Sequence, residues 1–333
     1  MPDRYTVQEV VQIGVETTIG TLVPPTKQLT GMSLELDTDL ELDRFAPMGN
    51  LFDTIAAPRQ EWASGSLSGY PTYTELPYAL SNVFGAATVV TPSGAVNARR
   101  WTWSPSSNTP WVPKTWSIYR GMVGNTAESA AYGIMSGFTM SFSRTDQPTI
   151  GGDFFARALD YSAALATTGV TKATLVPILP PQVCVYVDPT FAGIGTTRVT
   201  RAFVAGLDIS GLFGPIWPLD CTIASFGGHA PLKPDANATL QLGNDTQGRA
   251  FVTNMRAGST QYMRIQATGA NIDVGPPAYP YQLTLDLAVK VVDAPSRSDV
   301  DGLSVLEWSL GLFDDATMGS ALRIVLDTSL AAL

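Results

Sequence analysis

Residues 32–43, MSLELDTDLELD, alternate with a period of two. Met32, Leu34, Leu36, Leu40 and Leu42 fall on one side, and Ser33, Glu35, Asp37, Asp39, Glu41 and Asp43 on the other. A helix would mix the two sets, whereas a strand separates them. At ~3.3 Å per residue such a strand spans roughly 40 Å. Its leucine side predicts a core beneath it. Its other side is a column of carboxylates with no basic neighbour among them. Like charges stacked on one face repel, so that face is predicted to point into water.

Composition narrows what the rest can be. With 333 residues the chain has room for two ordinary domains. Hydrophobic residues make up 45% and charged residues 15%, enough for a sizeable core and low enough to predict polar surface covered in an assembly. A net charge of −9 disfavours electrostatic attachment to nucleic-acid phosphates or to an anionic membrane. No apolar run is long enough to span a bilayer. The start, MPDRYTVQEVVQ, lacks the form of a signal peptide. Cys184 and Cys221 are the only cysteines and are far apart in sequence, which predicts no disulfide scaffold and a cytoplasmic origin.

Short runs rich in Val, Ile, Thr and aromatics recur between scattered glycines and prolines: 114–121, 137–144, 182–188 and 281–293. This is the punctuation of a mainly β chain. One helix is predicted at 74–85, with Leu76, Leu80, Val83 and Phe84 on one face, Thr74 as cap and Gly85 as stop. Residues 166–182, rich in small residues and ending in prolines, read as a linker between domains at 1–165 and 183–333. The two sides echo one another: VETTIGT (15–21) with VDPTFAGIGT (187–196), TGMSLE (30–35) with AGLDIS (205–210), the helix ending at Gly85 with one ending at Gly258, and 132–146 with 301–315. The offsets stay in order, which predicts an internal duplication and a second helix near 248–256. A tandem repeat lets fewer chains close a ring of higher pseudosymmetry.

Chemistry is sparse. His229 is the only histidine and no GxSxG elbow accompanies it, so it is predicted to be an exposed loop residue. GIGTTR (193–198) has Arg198 where a dinucleotide fingerprint needs its third glycine, and reads as a turn. DTDLELD (37–43) has carboxylates at calcium-loop spacing, but Leu42 and Met48 stand where glycine and the closing glutamate belong. Trp62, Trp101, Trp103, Trp111 and Trp116 offer either an aromatic platform for sugar or packing within a sheet or interface, the second being favoured. The sequence therefore predicts no enzyme, no metal and no cofactor.

Four segments carry a resemblance: GVETTIGTLVPPTKQLTGMSLELD, TELPYALSNVFG, IGGDFFARALD (150–160) and the stretch from DGLSVLEWSLGLFDD to RIVLDTS. In pattern and order the chain resembles the major tail tube proteins of long-tailed, siphovirus-type bacteriophages. The resemblance implies two tandem β-sandwich or barrel domains, each with a flanking short helix. Sheets would join between subunits into rings that stack into a hollow, acidic conduit for DNA. Assembly in the host cytoplasm into a virion tail follows, with rings of three pseudo-sixfold chains (or six chains), a tape measure protein, and terminator and baseplate proteins as partners. DNA would pass without specific binding, and no membrane is involved. Glu35, Asp37, Asp39, Glu41, Asp43, Asp208 and Asp286 would line the bore. A loop at 44–61 would stack on the next ring through Phe45, Met48, Leu51, Phe52 and Ile55. The rival readings are a glycan- or receptor-binding or baseplate protein that uses its tryptophans, and another virion shell or connector protein.

Overall fold

The computed structural model describes residues 8–220, 223 and 225–333; Cys221 and the first seven residues lie outside them. Strands hold 53% of the residues and helices 8%, so the chain is mainly β as expected.

The first half contains β1 (Glu9–Val15), β2 (Lys27–Leu29), β3 (Met32–Phe45), β4 (Ile55–Gly69), α1 (Leu76–Phe84), β5 (Thr88–Val90), β6 (Arg99–Trp103), β7 (Trp116–Met122), β8 (Thr126–Met135), β9 (Phe138–Ser143), β10 (Thr149–Arg157), β11 (Asp160–Ala164) and β12 (Thr171–Lys172). The second contains β13 (Val183–Asp188), β14 (Ala202–Ser210), β15 (Phe213–Ile216), β16 (Gly228–Pro231), β17 (Asp235–Gly243), α2 (Thr246–Ala257), β18 (Gln261–Asp273), β19 (Tyr279–Val291), β20 (Ser296–Val300), β21 (Leu303–Leu312) and β22 (Leu322–Thr328). Both predicted helices are present.

Eight strands form one continuous antiparallel sheet in the order β3-β4-β10-β9-β14-β17-β21-β20. Outer strands fold over it: β2-β1-β7-β8-β11 on one half and β13-β18-β19-β22-β6-β5 on the other. β8 and β19 also pair with β10 and β21, which joins the outer strands to the central sheet without closing either half into the barrel that was one of the expected forms. Leu34, Leu36, Leu67, Phe154 and Met140 point into the core from the first half, and Leu207, Leu240, Trp308 and Leu310 from the second.

One pairing scheme occurs twice. The pairs β1–β7, β7–β8, β8–β10, β10–β4, β4–β3, β10–β9 and β8–β11 return as β13–β18, β18–β19, β19–β21, β21–β17, β17–β14, β21–β20 and β19–β22. A helix follows β4 and another follows β17. The loops after β1 and β13 are both gathered by a buried carboxylate: Glu16 accepts the Gly20 N–H, and Asp188 accepts those of Gly195, Thr196 and Thr197. The second loop is the turn expected of GIGTTR. The constant offset, however, does not survive. Residues 85–115 separate α1 from β7, whereas only 258–260 separate α2 from β18. That insertion puts 132–146 opposite the wrong stretch. Their strands, β8 and β9, correspond to β19 and β20, while 303–312 is β21, the counterpart of β10.

Each half reaches into the other. From the insertion 85–115, β6 pairs with β22, Arg100 forks onto Asp327 at 2.8 Å, and Asp273 accepts the N–H groups of Val96, Asn97 and Ala98. Trp101 and Trp103 share a strand face as expected, stack at 5.9 Å, and are buried together with Trp116, so none of the three faces solvent. In return, Trp217 and Phe226 of the second half lie against Trp62, Tyr132 and Phe155 of the first. Residues 166–182 are laid along it too: β12 pairs with β2, and the N–H groups of Tyr73 and Ile178 bond across to Val176 and Pro71.

Local corrections have local causes. Thr74 does not cap α1; its hydroxyl donates to the Thr174 carbonyl, and Thr72 Oγ1 accepts the Glu75 N–H instead. Glu75, fully buried, turns back to accept from Thr30 and Gly31. Gly85 does end the helix, at φ 83°, a left-handed conformation that suits glycine. The stretch 44–61 is not a loop throughout. Asp43, Arg44 and Phe45 pair with Ala57, Ala56 and Ile55, leaving 46–54 as the turn of a long hairpin. Pro58 is tolerated because the ladder shifts register beside it, between Glu41 and Leu42.

Candidate functional site: a polar sheet face

Alternation along the eight-stranded sheet sends one side chain in two away from the core. Across successive strands the outward positions are Ser33, Glu35 and Asp37 on β3; Ser66 and Ser68 on β4; Asp153 on β10; Thr139 and Ser141 on β9; Asp208 on β14; Asp235 and Thr239 on β17; Glu307 and Ser309 on β21; and Ser296 and Ser298 on β20. All are exposed except the half-buried Ser309. The face is thus dominated by hydroxyls and carboxylates, with amides at Asn237 and Gln241, and none of these positions holds a lysine or arginine. Arg157, further along β10 on the same side, is turned away into hydrogen bonds with the carbonyls of Gly20 and Phe226.

The carboxylates feel one another. Partial burial, together with the charges of Asp235 and Asp153, raises the pKa of Asp208 above the usual carboxylate range. These three lie on strands of both halves, so the negative potential runs across the β9–β14 junction. Short serine and threonine side chains between them supply no positive charge to neutralise it.

The expected bore residues divide into three groups. Glu35, Asp37 and Asp208 are exposed on this face. Asp39 is half-buried and accepts from Ser64, Glu41 is paired with Arg59, and Asp43 is exposed near the hairpin turn. Asp286 is misplaced by the sequence reading. It is fully buried in the outer sheet, where Arg264 on β18 and Arg323 on β22 clamp it at 2.6 and 2.7 Å. Two guanidiniums from adjacent strands cover the side that alternation alone would expose. Leu40 and Leu42 were expected in the core but are 48% and 46% exposed, because the hairpin beyond Thr38 runs past the end of the sandwich. Three outward carboxylates were missed. Glu307 was legible, since Leu306, Trp308 and Leu310 alternate with it; Asp153 follows two glycines, and Asp235 sits in a proline-rich stretch that reads as loop.

His229 is not an exposed loop residue. It lies half-buried in β16, its Nδ1 3.1 Å from the Tyr132 hydroxyl and its ring against Phe213, and burial lowers its pKa. No described helix is long and apolar enough to cross a membrane. No protein-family model matches the chain, and no curated protein matches it.

Proposed function

We propose that the protein is a tube-building subunit of a phage tail, two copies of one β unit in tandem, whose polar sheet face lines a conduit for DNA. One observation carries this reading. The long sheet is four strands repeated, β3-β4-β10-β9 then β14-β17-β21-β20, and the units are joined by β9 pairing with β14. Among the described residues its unpaired edges are β3, the counterpart of β14, and β20, the counterpart of β9. Each chain therefore ends in the two halves of the junction it already contains. Head-to-tail repetition of that contact makes a heterologous interface, which closes when the rotation per unit divides a full turn. Exposed edges are otherwise a liability that proteins blunt or cover.

Three copies supply twenty-four strands. Spaced ~4.8 Å and tilted ~40°, they enclose a barrel roughly 50 Å across, with about 35–40 Å left inside the side chains. Duplex DNA fits such a bore. Carboxylates hold phosphates off the wall at short range, and salt weakens this beyond ~8–10 Å. Burial of Trp101, Trp103 and Trp116 removes most of the aromatic surface that a sugar-binding reading needs.

Charge reversal tests the conduit. Changing Glu35, Asp153 and Asp208 together to lysine is expected to preserve folding, since all three are exposed. Assemblies of this variant should retain duplex DNA on pelleting at low salt and release it as salt rises, whereas the unmodified protein retains none. Equal retention by both, or none by a variant whose assemblies are intact, would contradict the reading.

A further inference from the structure

Among the described residues, the distal parts of β3 and β4 pair only with each other and form an arm with no further strand partner. Phe45, Met48, Leu51, Phe52 and Ile55 are all more than half exposed, and Leu40 and Leu42 nearly so. At the same end of the molecule, the second unit carries a hollow of about 800 Å3. Trp111, Ile209, Leu212, Phe213, Leu312 and Phe313 give it an apolar lining.

We propose that the arm of one copy docks in this hollow on the adjacent copy of the same ring. The inference rests on the ring reading above and commits to a lateral contact, where the resemblance expects an axial one.

The template is inside the chain. The counterpart of the arm is 211–234, which connects β14 to β17 as the arm connects β3 to β4. Its described parts, 211–220 and 225–234, fold back over the first unit on its β9 side. Trp217 packs edge-on against Trp62 at 5.4 Å, and Phe226 packs against Tyr132 at 5.0 Å and Phe155 at 5.4 Å. The Phe226 carbonyl accepts from Arg157. The receiving surface is thus the middle of β4, at Trp62, and the later parts of β8 and β10, on the outward side that Trp62 and Phe155 share. The corresponding outward positions in the second unit include Asp235 on β17 and Gly311 on β21. Both line the hollow, together with Val292 just beyond β19. In the first unit the site is filled by the chain's own second unit. In the second unit, the element due there by repetition is the arm of the next copy. That arm leaves from β3, the strand that would pair with β20, so the contact continues the ring junction.

Charge at the rim is mixed: the exposed Lys233 is the sole lysine or arginine on the hollow's lining and stands beside the carboxylates of Asp235 and Asp314. The arm's exposed charges are mixed as well, Asp43 and Asp53 with Arg44, and Glu41 is already paired with Arg59. The contact therefore rests on its apolar side chains, which would enter the hollow and leave these charges at its edge.

Strand directions separate lateral from axial docking. β3 and β14 run the same way along the sheet, so the arm and the hollow lie at one end of the subunit. A head-to-tail neighbour in the next ring would present the other end, where loops 144–148 and 301–302 lie. The test places a photo-crosslinking amino acid at Phe52 in the full-length protein, irradiates it after assembly, and identifies the joined peptides by mass spectrometry. Crosslinks between copies into 105–111, 231–237 or 311–322 are expected. Replacing Ala236 with Arg should remove them while rings still form. Rings whose crosslinks run to 144–148 or 301–302 would overturn lateral docking and leave the ring reading standing. A protein that gives no crosslink between copies and no rings would overturn both.

Discussion

Proline in β20 is expected to give a folded protein that no longer assembles. β20 pairs with β21 on one side only. Successive N–H groups along a strand point to opposite sides, so of Ser298 and Asp299 one donates toward β21 and the other outward. Proline removes the N–H and leaves the strand extended. One of Ser298→Pro and Asp299→Pro should therefore keep the β21 ladder and lose only the outward bond. That variant should match the unmodified protein in urea unfolding, within about 0.5 kcal/mol for a change away from the core. In sedimentation velocity it should remain at the 35.4 kDa of one chain while the unmodified protein forms larger species. If both variants assemble as the unmodified protein does, β20 is not the joining edge.

The second large effect is on stability. Asp286→Ala leaves Arg264 and Arg323, with side chains 21% and 34% exposed, facing each other across an emptied site. Removing one partner of a buried ion cluster costs about 3–5 kcal/mol, since the remaining charges stay desolvated and repel. The midpoint of urea unfolding should fall accordingly, with the slope unchanged. A loss below about 1 kcal/mol would mean that the clamp contributes little beyond its packing. The polar face should be insensitive by comparison, because water already solvates its carboxylates.

The same contrast explains what the sequence disclosed. Period-two alternation reported side correctly along the part of β3 that lies on the body: Leu34 and Leu36 inward, Glu35 and Asp37 outward. It failed at Leu40 and Leu42, because it cannot tell where the body ends. It failed at Asp286, because the arginines that bury it come from strands 22 and 37 residues away. The repeated order of strands and helix was legible at the first β-strands and helices of each half but slipped after 85–115, a stretch of the first half that pairs with the outer sheet of the second. The hollow was not legible at all. Its walls are contributed by six separate stretches of chain, and no local pattern announces them. Trp101 and Trp103 show the opposite case, where the sequence favours packing over a ligand platform and β22 and its neighbours close over the pair.

Whether the sheet closes between copies decides the account most directly. Electron cryomicroscopy of the assembled protein measures it. The expected density is a ring of three chains with a continuous twenty-four-strand wall, β20 of each copy beside β3 of the next, and Glu35, Asp153, Asp208 and Glu307 facing the bore. Particles in which β3 and β20 remain unpaired edges, or in which those carboxylates face outward, would contradict it.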